Sequence, residues 1–195
     1  ETGTPKVRLS PGRKNGSHCT IATNDEEVSA DMTSYLASLG HRRIAFITGH
    51  PSHKAVANRF VGYKTGLQHN RIAFDGKLVA KGDNSIGSGE AAASQLLRLS
   101  HPPTAIFAAN DDMAVGVMRT ADRLGLKIPR DLSVAGFDDI ALARLVYPAL
   151  TTISQPLVKM TEEAASILIA GARSGAPPQK LEIIPASLQI RESTG

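Results

Sequence analysis

Two polar residues, Asn110 and Asp138, follow apolar runs of the sequence and have the chemistry to bind a small polar molecule. The run 105–109 leads into Asn110, and the run 132–136 leads towards Asp138. A carboxylate accepts hydrogen bonds from vicinal hydroxyls or from the N–H groups of a base, and a carboxamide both donates and accepts. Each residue could instead cap a helix or close a turn, because Asn and Asp are favoured there. The spacing alone leaves ligand binding and capping about equally favoured for both residues.

Three further side chains belong to the same set of candidates. Arg59 falls in a helical pattern after Gly49 and can present its guanidinium group to a hydroxyl, a carboxylate or a phosphate. A solvated helix face is the alternative for this arginine. His53 lies in the loop before that helix, and Asn84 lies in a loop after another predicted strand. Loops of this kind often carry specificity residues.

None of the motifs that indicate an enzyme is complete. Gly82 and Gly87 have the spacing of a P-loop, but Ser88 stands where phosphate binding needs a lysine. The six histidines contain no His-Glu-x-x-His arrangement, Cys19 has no base near it in the sequence, and no Gly-x-Ser-x-Gly elbow occurs. We therefore expect no catalysis, no cofactor and no bound metal ion.

The composition is that of a packed soluble domain, since 42% of the 195 residues are hydrophobic. No apolar run approaches the roughly 20 residues that cross a bilayer, and the polar start of the chain lacks a signal-peptide core. The single cysteine suits a reducing cytoplasm. The net charge of +4 is spread along the chain, so direct nucleic-acid binding by these residues is poorly supported. We expect a cytoplasmic protein without a membrane partner.

Hydrophobic periodicity predicts the elements that must position these side chains. Helices are predicted over 24–40, 91–99, 111–124 and 157–172, and through Phe60, Tyr63 and Leu67. For the helix over 24–40, Asn24 is the predicted cap, with Glu27 completing a capping box. Strands are predicted at 43–49, 78–80, 105–109, 132–136 and 150–153. The segments 181–185 and 187–191 are predicted to form one strand broken by proline, and turn formers over 10–18 predict a boundary.

This alternation of strands and helices predicts an α/β fold with a parallel sheet. In open parallel sheets the ligand crevice lies outside the carboxyl ends of the strands. Asn110 and Asp138 would both lie at that edge. The sequence therefore predicts a small-molecule sensor.

Four separate segments, taken in order, resemble the lactose-repressor (LacI/GalR-type) family. They are Gly40 to Ile47, Asn110-Asp111, Ser133 to Asp139 and Pro148 to Ile153. The closing Arg191-Glu192-Ser193 is also similar to the usual end of that family. The resemblance implies a doubly wound parallel sheet of the periplasmic-binding-protein-like type, containing mostly the C-terminal lobe with parts of the N-terminal lobe.

The resemblance also implies a division of the chain. Residues 1–18 would be a remnant of the first lobe and its connection, and 19–154 the second-lobe effector-binding subdomain. Residues 155–180 would return to the first lobe as a helix with part of its apolar face uncovered, and 181–195 would form the C-terminal strand and tail. The helix-turn-helix, the hinge helix and most of the first lobe are expected to be missing from this chain.

The function implied is effector sensing in a DNA-binding transcription regulator. Its partners would be a sugar, sugar derivative or nucleobase as effector, operator DNA through the absent helix-turn-helix, and a second copy in a homodimer. In the family, an arginine at the position of Arg59 and the aspartate of the Asp138 segment face the effector. Gln155, at the implied lobe crossing, could contact ligand or serve as hinge. The expected ligand-binding residues are Arg59, Asn110, Asp138, Phe137, His53, Asn84 and Gln155.

Two points stay open at the level of sequence. A periplasmic sugar-binding receptor of a transporter has the same fold, although the segments beginning at Gly40 and Pro148 resemble repressors rather than receptors. The chain has no Trp and only 4% aromatic residues, so Phe137 and Phe60 are the nearest candidates for stacking on a sugar. Plain sugars, sugar acids, phosphorylated sugars and nucleosides all remain possible effectors.

Overall fold

A computed structural model describes residues 6–9, 19–174 and 181–195 of the chain. The predicted boundary at 10–18 and the end of the segment predicted over 155–180 lie outside the described residues. The strands are β1 Val7–Leu9, β2 Cys19–Ala22, β3 Ile44–Thr48, β4 Val79–Lys81, β5 Ala105–Ala108, β6 Ser133–Ala135, β7 Thr152–Ser154, β8 Leu181–Ile183 and β9 Ser187–Gln189. The helices are α1 Asp25–Ser38, α2 Lys54–His69, α3 Ile86–Leu96, α4 Asp111–Arg123, α5 Ala141–Leu145 and α6 Leu157–Ser174.

The main sheet contains four parallel strands in the order β4-β3-β5-β6. Its two central strands pair with Phe46 opposite Phe107, and both are buried along nearly their whole length. Continuous apolar sequence is what a strand needs when helices cover both faces of its sheet. The predicted α/β fold with a parallel sheet is confirmed.

The strand order fixes where a ligand crevice can form. From β3 the chain moves to β4 on one side, then returns to β5 on the other side. Right-handed crossovers then place α2 on one face of the sheet and α3 and α4 on the opposite face. The loops after β3 and β5 therefore diverge at a topological switch point, which is where open parallel sheets bind ligands.

The C-terminal part of the chain extends this sheet. Strands β7 and β9 pair antiparallel, and isolated bridges connect Ala135 to Thr151 and Asp138 to Ser154. The prediction of one strand broken by proline is wrong for 181–191, because β8 pairs with β2 in a separate sheet. The proline segment carries the chain from one sheet to the other.

A smaller core lies between α6 and the parallel sheet β1-β2-β8. Its buried residues are Cys19, Ile21, Met160, Ala164, Ile167 and Ile184. On the outer side of α6, Val158 and Ile169 are exposed, so only part of the apolar surface of this helix is covered. Among the described residues, no helix combines the length and the apolar character that crossing a bilayer requires.

Asn24 precedes α1 but its side chain does not cap the helix. Its Oδ1 accepts a hydrogen bond from the backbone N–H of Ala186 at 2.8 Å, and its Nδ2 donates to Glu27 at 3.0 Å. The predicted side-chain cap is therefore wrong. The amide of Ala186 is in the buried turn between β8 and β9, where an unpaired N–H would be costly.

Helices α3 and α4 approach closely because each contributes a glycine to the contact. A Cβ atom on Gly89 would lie 2.2 Å from the carbonyl oxygen of Met113, and one on Gly116 would lie 2.2 Å from that of Ile86. Gly87, in the same turn as Gly89, has nothing within 4 Å of such an atom. The packing of this helix pair therefore depends on two specific positions.

Asp111, the first residue of α4, is a fully buried carboxyl group. It accepts hydrogen bonds from Thr152 Oγ1 in β7 and, at 2.9 Å, from the backbone N–H of Ile140. Burial raises the pKa of Asp111 to about 7 although both hydrogen bonds oppose the shift, and the nearby charges of Asp138 and Asp139 raise it further. The side chain ties α4, β7 and the loop after β6 together.

Replacing Gly89 by alanine should force α3 and α4 apart, because the clash is with backbone that cannot rotate away. We expect Gly89→Ala to lower the free energy of unfolding by about 1 to 3 kcal/mol. Gly87→Ala is the matched control, and it should leave stability unchanged or raise it by up to about 1 kcal/mol through helix propensity. Urea unfolding of both variants measures the difference; equal stabilities would contradict the proposed close packing.

The raised pKa of Asp111 predicts a pH dependence of stability. A carboxyl group whose folded pKa is about 7, against an ordinary value of 3.8, stabilises the fold in its protonated form. That contribution is complete at low pH and is lost as the pH rises through about 7. Asp111→Asn does not titrate, and its amide can accept from the Ile140 N–H and donate to the Thr152 hydroxyl, so its stability relative to the unmodified protein should increase between about pH 5 and about pH 8.

Urea unfolding across this pH range measures the effect. Asp31→Asn, an exposed substitution on α1, is the control and should show a constant difference from the unmodified protein. A constant difference for Asp111→Asn as well would show that Asp111 does not titrate in this range.

Candidate functional site

A depression of about 320 Å³ opens at the carboxyl ends of the main-sheet strands. Its lining comes from the segments that follow β3, β4, β5 and β6, as the switch point requires. The lining residues are His53, Ala55, Val56, Arg59, Asn84, Asn110, Asp112 and Asp138.

Arg59 forms the floor of this depression and is only 7% exposed. Its Nη1 donates to the carbonyl oxygen of Ala109, after β5, at 2.6 Å. Its guanidinium carbon lies 3.6 Å from the centre of the Phe137 ring, which supports the planar group from below by a cation–π contact. The arginine therefore does not point into solvent from a helix face, and its position is fixed by backbone and ring together.

Two carboxylates share the charge of Arg59. Asp138 Oδ1 lies 3.5 Å from Nη1, and Asp25 Oδ2 lies 3.9 Å from Nε. The Nε–H group has no hydrogen-bond partner although it is buried. An unsatisfied buried donor is unfavourable, and the nearby carboxylate of Asp25 compensates part of that cost.

Asp138 faces the depression with its carboxylate in contact with two partners. Gln155 Nε2 donates to Oδ1 at 2.6 Å, and the same oxygen forms the ion pair with Arg59. Burial raises the pKa of Asp138, while Arg59 and the hydrogen bond from Gln155 oppose this and the charges of Asp25 and Asp112 add to it. The carboxylate is thus held in place and partly desolvated.

The backbone at this point adopts an unusual conformation. Asp138 has φ +121° and Asp139 has φ +56°, and residues other than glycine rarely adopt such values. Asp139 is held by Arg144 at 2.8 Å and by Arg191 at 2.5 Å, and these bonds keep the pKa of Asp139 low although burial would raise it. Strained conformations persist only where surrounding contacts fix them, and here the contacts reach from α5 and the C-terminal tail.

Asn110 caps a helix and also lines the depression. Its Oδ1 accepts from the backbone N–H of Met113 at 3.0 Å and caps α4, and its Nδ2 donates to the carbonyl oxygen of Asn84 at 3.0 Å. The side chain also lines the depression. Each polar atom keeps one further hydrogen-bonding position, so Asn110 ties two loops together and still presents polar atoms to the cavity.

The other predicted residues lie in different places. His53 is exposed at the mouth, 3.4 Å from Asn84 between side-chain nitrogens. Phe137 is fully buried beneath Arg59 and does not line the depression. Gln155 also lies outside the lining and acts on Asp138. The structure thus brings Arg59, Asn84, Asn110, Asp138 and His53 to the cavity, with Phe137 and Gln155 behind them.

Four residues of the site were not among the sequence predictions. Asp112, Ala55 and Val56 line the depression, and Asp25 pairs with Arg59 from the start of α1. Asp112 could have been found, because it continues the polar run that begins at Asn110. Asp25 gives no such signal, since an acidic residue in the first turn of a helix is common.

The polar groups of the lining can donate and accept hydrogen bonds. Among the residues described, the lining contains no Ser, Thr, Cys, Tyr or Lys side chain. Within the same part of the chain, no three His, Cys, Asp or Glu residues lie close enough together to hold a metal ion.

Comparisons with known proteins place this geometry in a family. The sequence profile of the periplasmic binding protein-like domain matches residues 33–194. The chain is 36% identical over 165 residues to the HTH-type transcriptional repressor PurR of Vibrio atlanticus (strain LGP32), covering 85% of this chain and 49% of the relative. It is 36% identical over 175 residues to the HTH-type transcriptional repressor CytR of Escherichia coli (strain K12), covering 90% and 51%.

A solved LacI family transcriptional regulator from Enterococcus faecium, with bound ribose, superposes with a TM-score of 0.89. The two proteins share 27% sequence identity, and the superposition covers 98% of this chain and 71% of the regulator. The chain spans about half the length of PurR and of CytR. With the profile match over most of its length, the chain belongs to the periplasmic binding protein-like domain family, in its lactose-repressor branch.

Proposed function

We propose that this chain is the effector-binding part of a LacI-type transcription regulator, and that a small polar molecule binds in the depression above Arg59. The observation that carries the proposal is the pairing of Arg59 with Asp138. Asp138 faces the cavity as a partly desolvated acceptor held beside the guanidinium group, so a ligand hydroxyl can donate a hydrogen bond to its carboxylate. A sugar, a sugar derivative or a nucleoside offers such hydroxyl groups.

A periplasmic sugar-binding receptor of a transporter is the other class with this fold. The relatives PurR and CytR carry the names of transcriptional repressors, and the receptor class is not favoured. The solved regulator from Enterococcus faecium holds ribose, which supports a sugar or a molecule containing one as the effector of this chain.

In the proposed mechanism, bound effector favours one arrangement of the loops around the depression. The loop after β6 is the element that can transmit this preference, because Asp138 faces the cavity while Asp139 is fixed to α5 and to the C-terminal tail. Effector changes DNA binding only if it prefers one of the two states of the regulator. Operator DNA would be contacted through a helix-turn-helix outside this chain.

The experiment that tests this function is a ligand panel. Ribose, glucose, cellobiose, adenosine and cytidine are added to the 195-residue chain, and thermal unfolding followed by calorimetry measures binding. A ligand that binds the folded state raises the melting temperature in proportion to the logarithm of its concentration. We expect at least one of these compounds to do so; no shift with any of them would contradict the proposal.

The compound that binds is then tested on Asp138→Asn. We expect affinity to fall by about 1.5 to 3 kcal/mol, or roughly 10- to 150-fold, because a hydrogen bond to a charged acceptor is lost. Asp31→Asn, on the exposed side of α1, should bind normally. Unchanged affinity in Asp138→Asn would remove this residue from the site.

We also propose that the regulator is a homodimer. Tyr147 is 93% exposed and Leu145 is 79% exposed, so two large apolar side chains of one segment lie in water in a single copy. Tyr147→Ser should weaken self-association at least about tenfold without changing the stability of a dilute sample, because the ring makes little contact within its own chain. Sedimentation over a range of concentrations measures this; association that is unaffected by the change would point to a different interface.

A further inference from the structure

The lining of the depression carries more negative than positive side-chain charge. Asp112 and Asp138 contribute carboxylates, and Arg59 contributes the guanidinium group. Arg59 is also shared with Asp25, which lies behind it at 3.9 Å. Among the described side chains, Asp138 and Asp25 therefore already balance the positive charge of Arg59. The carboxylate of Asp112 adds a further negative charge.

Asp112 differs from Asp138 and Asp25, the other carboxylates around Arg59, because none of the described side chains forms an ion pair with it. The described lysine and arginine side chains all lie beyond ion-pair distance of Asp112. Asp138, by contrast, is bound by Arg59 and Gln155. Asp112 is half-buried in the wall of the cavity, so its charge is less screened there than on an open surface.

Helix N-termini at the site do not reverse this balance. In the first turn of α4 the positive end of the helix dipole already interacts with Asp111 and Asp112. At the N-terminus of α3, two backbone N–H groups already have acceptors within the chain. Ser85 Oγ accepts from the N–H of Ser88, and Asp83 Oδ1 accepts from the N–H of Ser85. The N-terminus of α2 is the other helix end near the site. Its dipole is equivalent to about +0.5 elementary charge, which is smaller than the negative charge of the Asp112 carboxylate.

The carboxylates of Asp112 and Asp138, together with Arg59, thus disfavour a negatively charged ligand. Carboxylates accept hydrogen bonds and cannot donate them, so they favour ligands rich in O–H or N–H groups. A phosphate or carboxylate on the ligand offers neither and adds a like charge near Asp112. Arg59 lines the cavity and carries only N–H donors, which can still donate to a neutral hydroxyl oxygen.

We propose that Asp112 excludes anions from this site, so that the effector presents hydroxyl or amino groups and no negative charge to this wall. This inference rests on the proposed function and narrows it. Among the effectors left open by the sequence, it selects neutral sugars, amino sugars and nucleosides over sugar acids and phosphorylated compounds.

The test compares matched ligands on the 195-residue chain at low ionic strength. The sets are ribose with ribose 5-phosphate, glucose with glucosamine and glucuronate, and adenosine with its monophosphate. In whichever set binds, we expect the neutral or amino compound to bind at least about tenfold more tightly than the anionic one, the size of effect that one like charge at short range produces.

Asp112→Asn isolates the residue responsible. This change removes the charge and keeps the shape, so the discrimination should fall from about tenfold to about threefold or less. Asp122→Asn, at the exposed end of the same helix, removes the same charge away from the site and should leave the discrimination unchanged. Raising the salt concentration should also reduce discrimination in the unmodified chain, because the screening length shortens from about 10 Å at 0.1 M to about 3 Å at 1 M.

The outcomes separate this inference from the function on which it rests. Anions that bind as tightly as their neutral partners would overturn the inference and leave effector binding intact. Full discrimination in Asp112→Asn, or discrimination that salt does not change, would mean that shape rather than this charge excludes anions. Failure of every compound to bind would overturn the proposed function, and the inference with it.

Discussion

The burial of one guanidinium group constrains most of the site. A charge placed away from water needs counter-charges and hydrogen bonds around it, and Arg59 receives them from separate segments of the chain. Asp25 begins α1, the carbonyl oxygen of Ala109 ends β5, and Phe137 and Asp138 follow β6. Because these segments are distant in the sequence, the arginine connects the start of α1 with the ends of β5 and β6 at the switch point. The cavity has its shape because this charge has to be satisfied there.

The loop after β6 is the second constraint, and it follows from the first. Asp138 can face Arg59 only if its backbone takes a φ angle that L-residues disfavour, and the next residue shares this difficulty. Asp139 is held by Arg191 and Arg144, and the backbone beyond it is held by Asp111. Residues of the C-terminal tail therefore determine where a carboxylate of the site lies.

Local patterns predicted the architecture well because strands buried on both faces must be apolar throughout and helices on a sheet must be amphipathic. The strand ends at Asn110 and Asp138 followed from the same reasoning. The exceptions share one cause. Asn24 was expected to cap α1 but bonds to Ala186, 162 residues away, and the strand predicted across 181–191 is divided between two sheets. In each case a distant partner outweighed the local preference, and sequence spacing carries no record of distant partners.

The sequence by itself determined the α/β class, the edge of the sheet at which polar residues collect, and the family. It did not determine which of those polar residues face the cavity. Phe137 was a candidate for stacking on a ligand, yet it lies under Arg59, and Asp112 lines the wall without having been singled out. Helical and strand periodicity fix the direction of a side chain relative to its own element, whereas exposure to a cavity depends on how several elements meet. Only the tertiary structure settles that, because the contacts that bury one side chain and leave another facing the cavity come from distant parts of the chain.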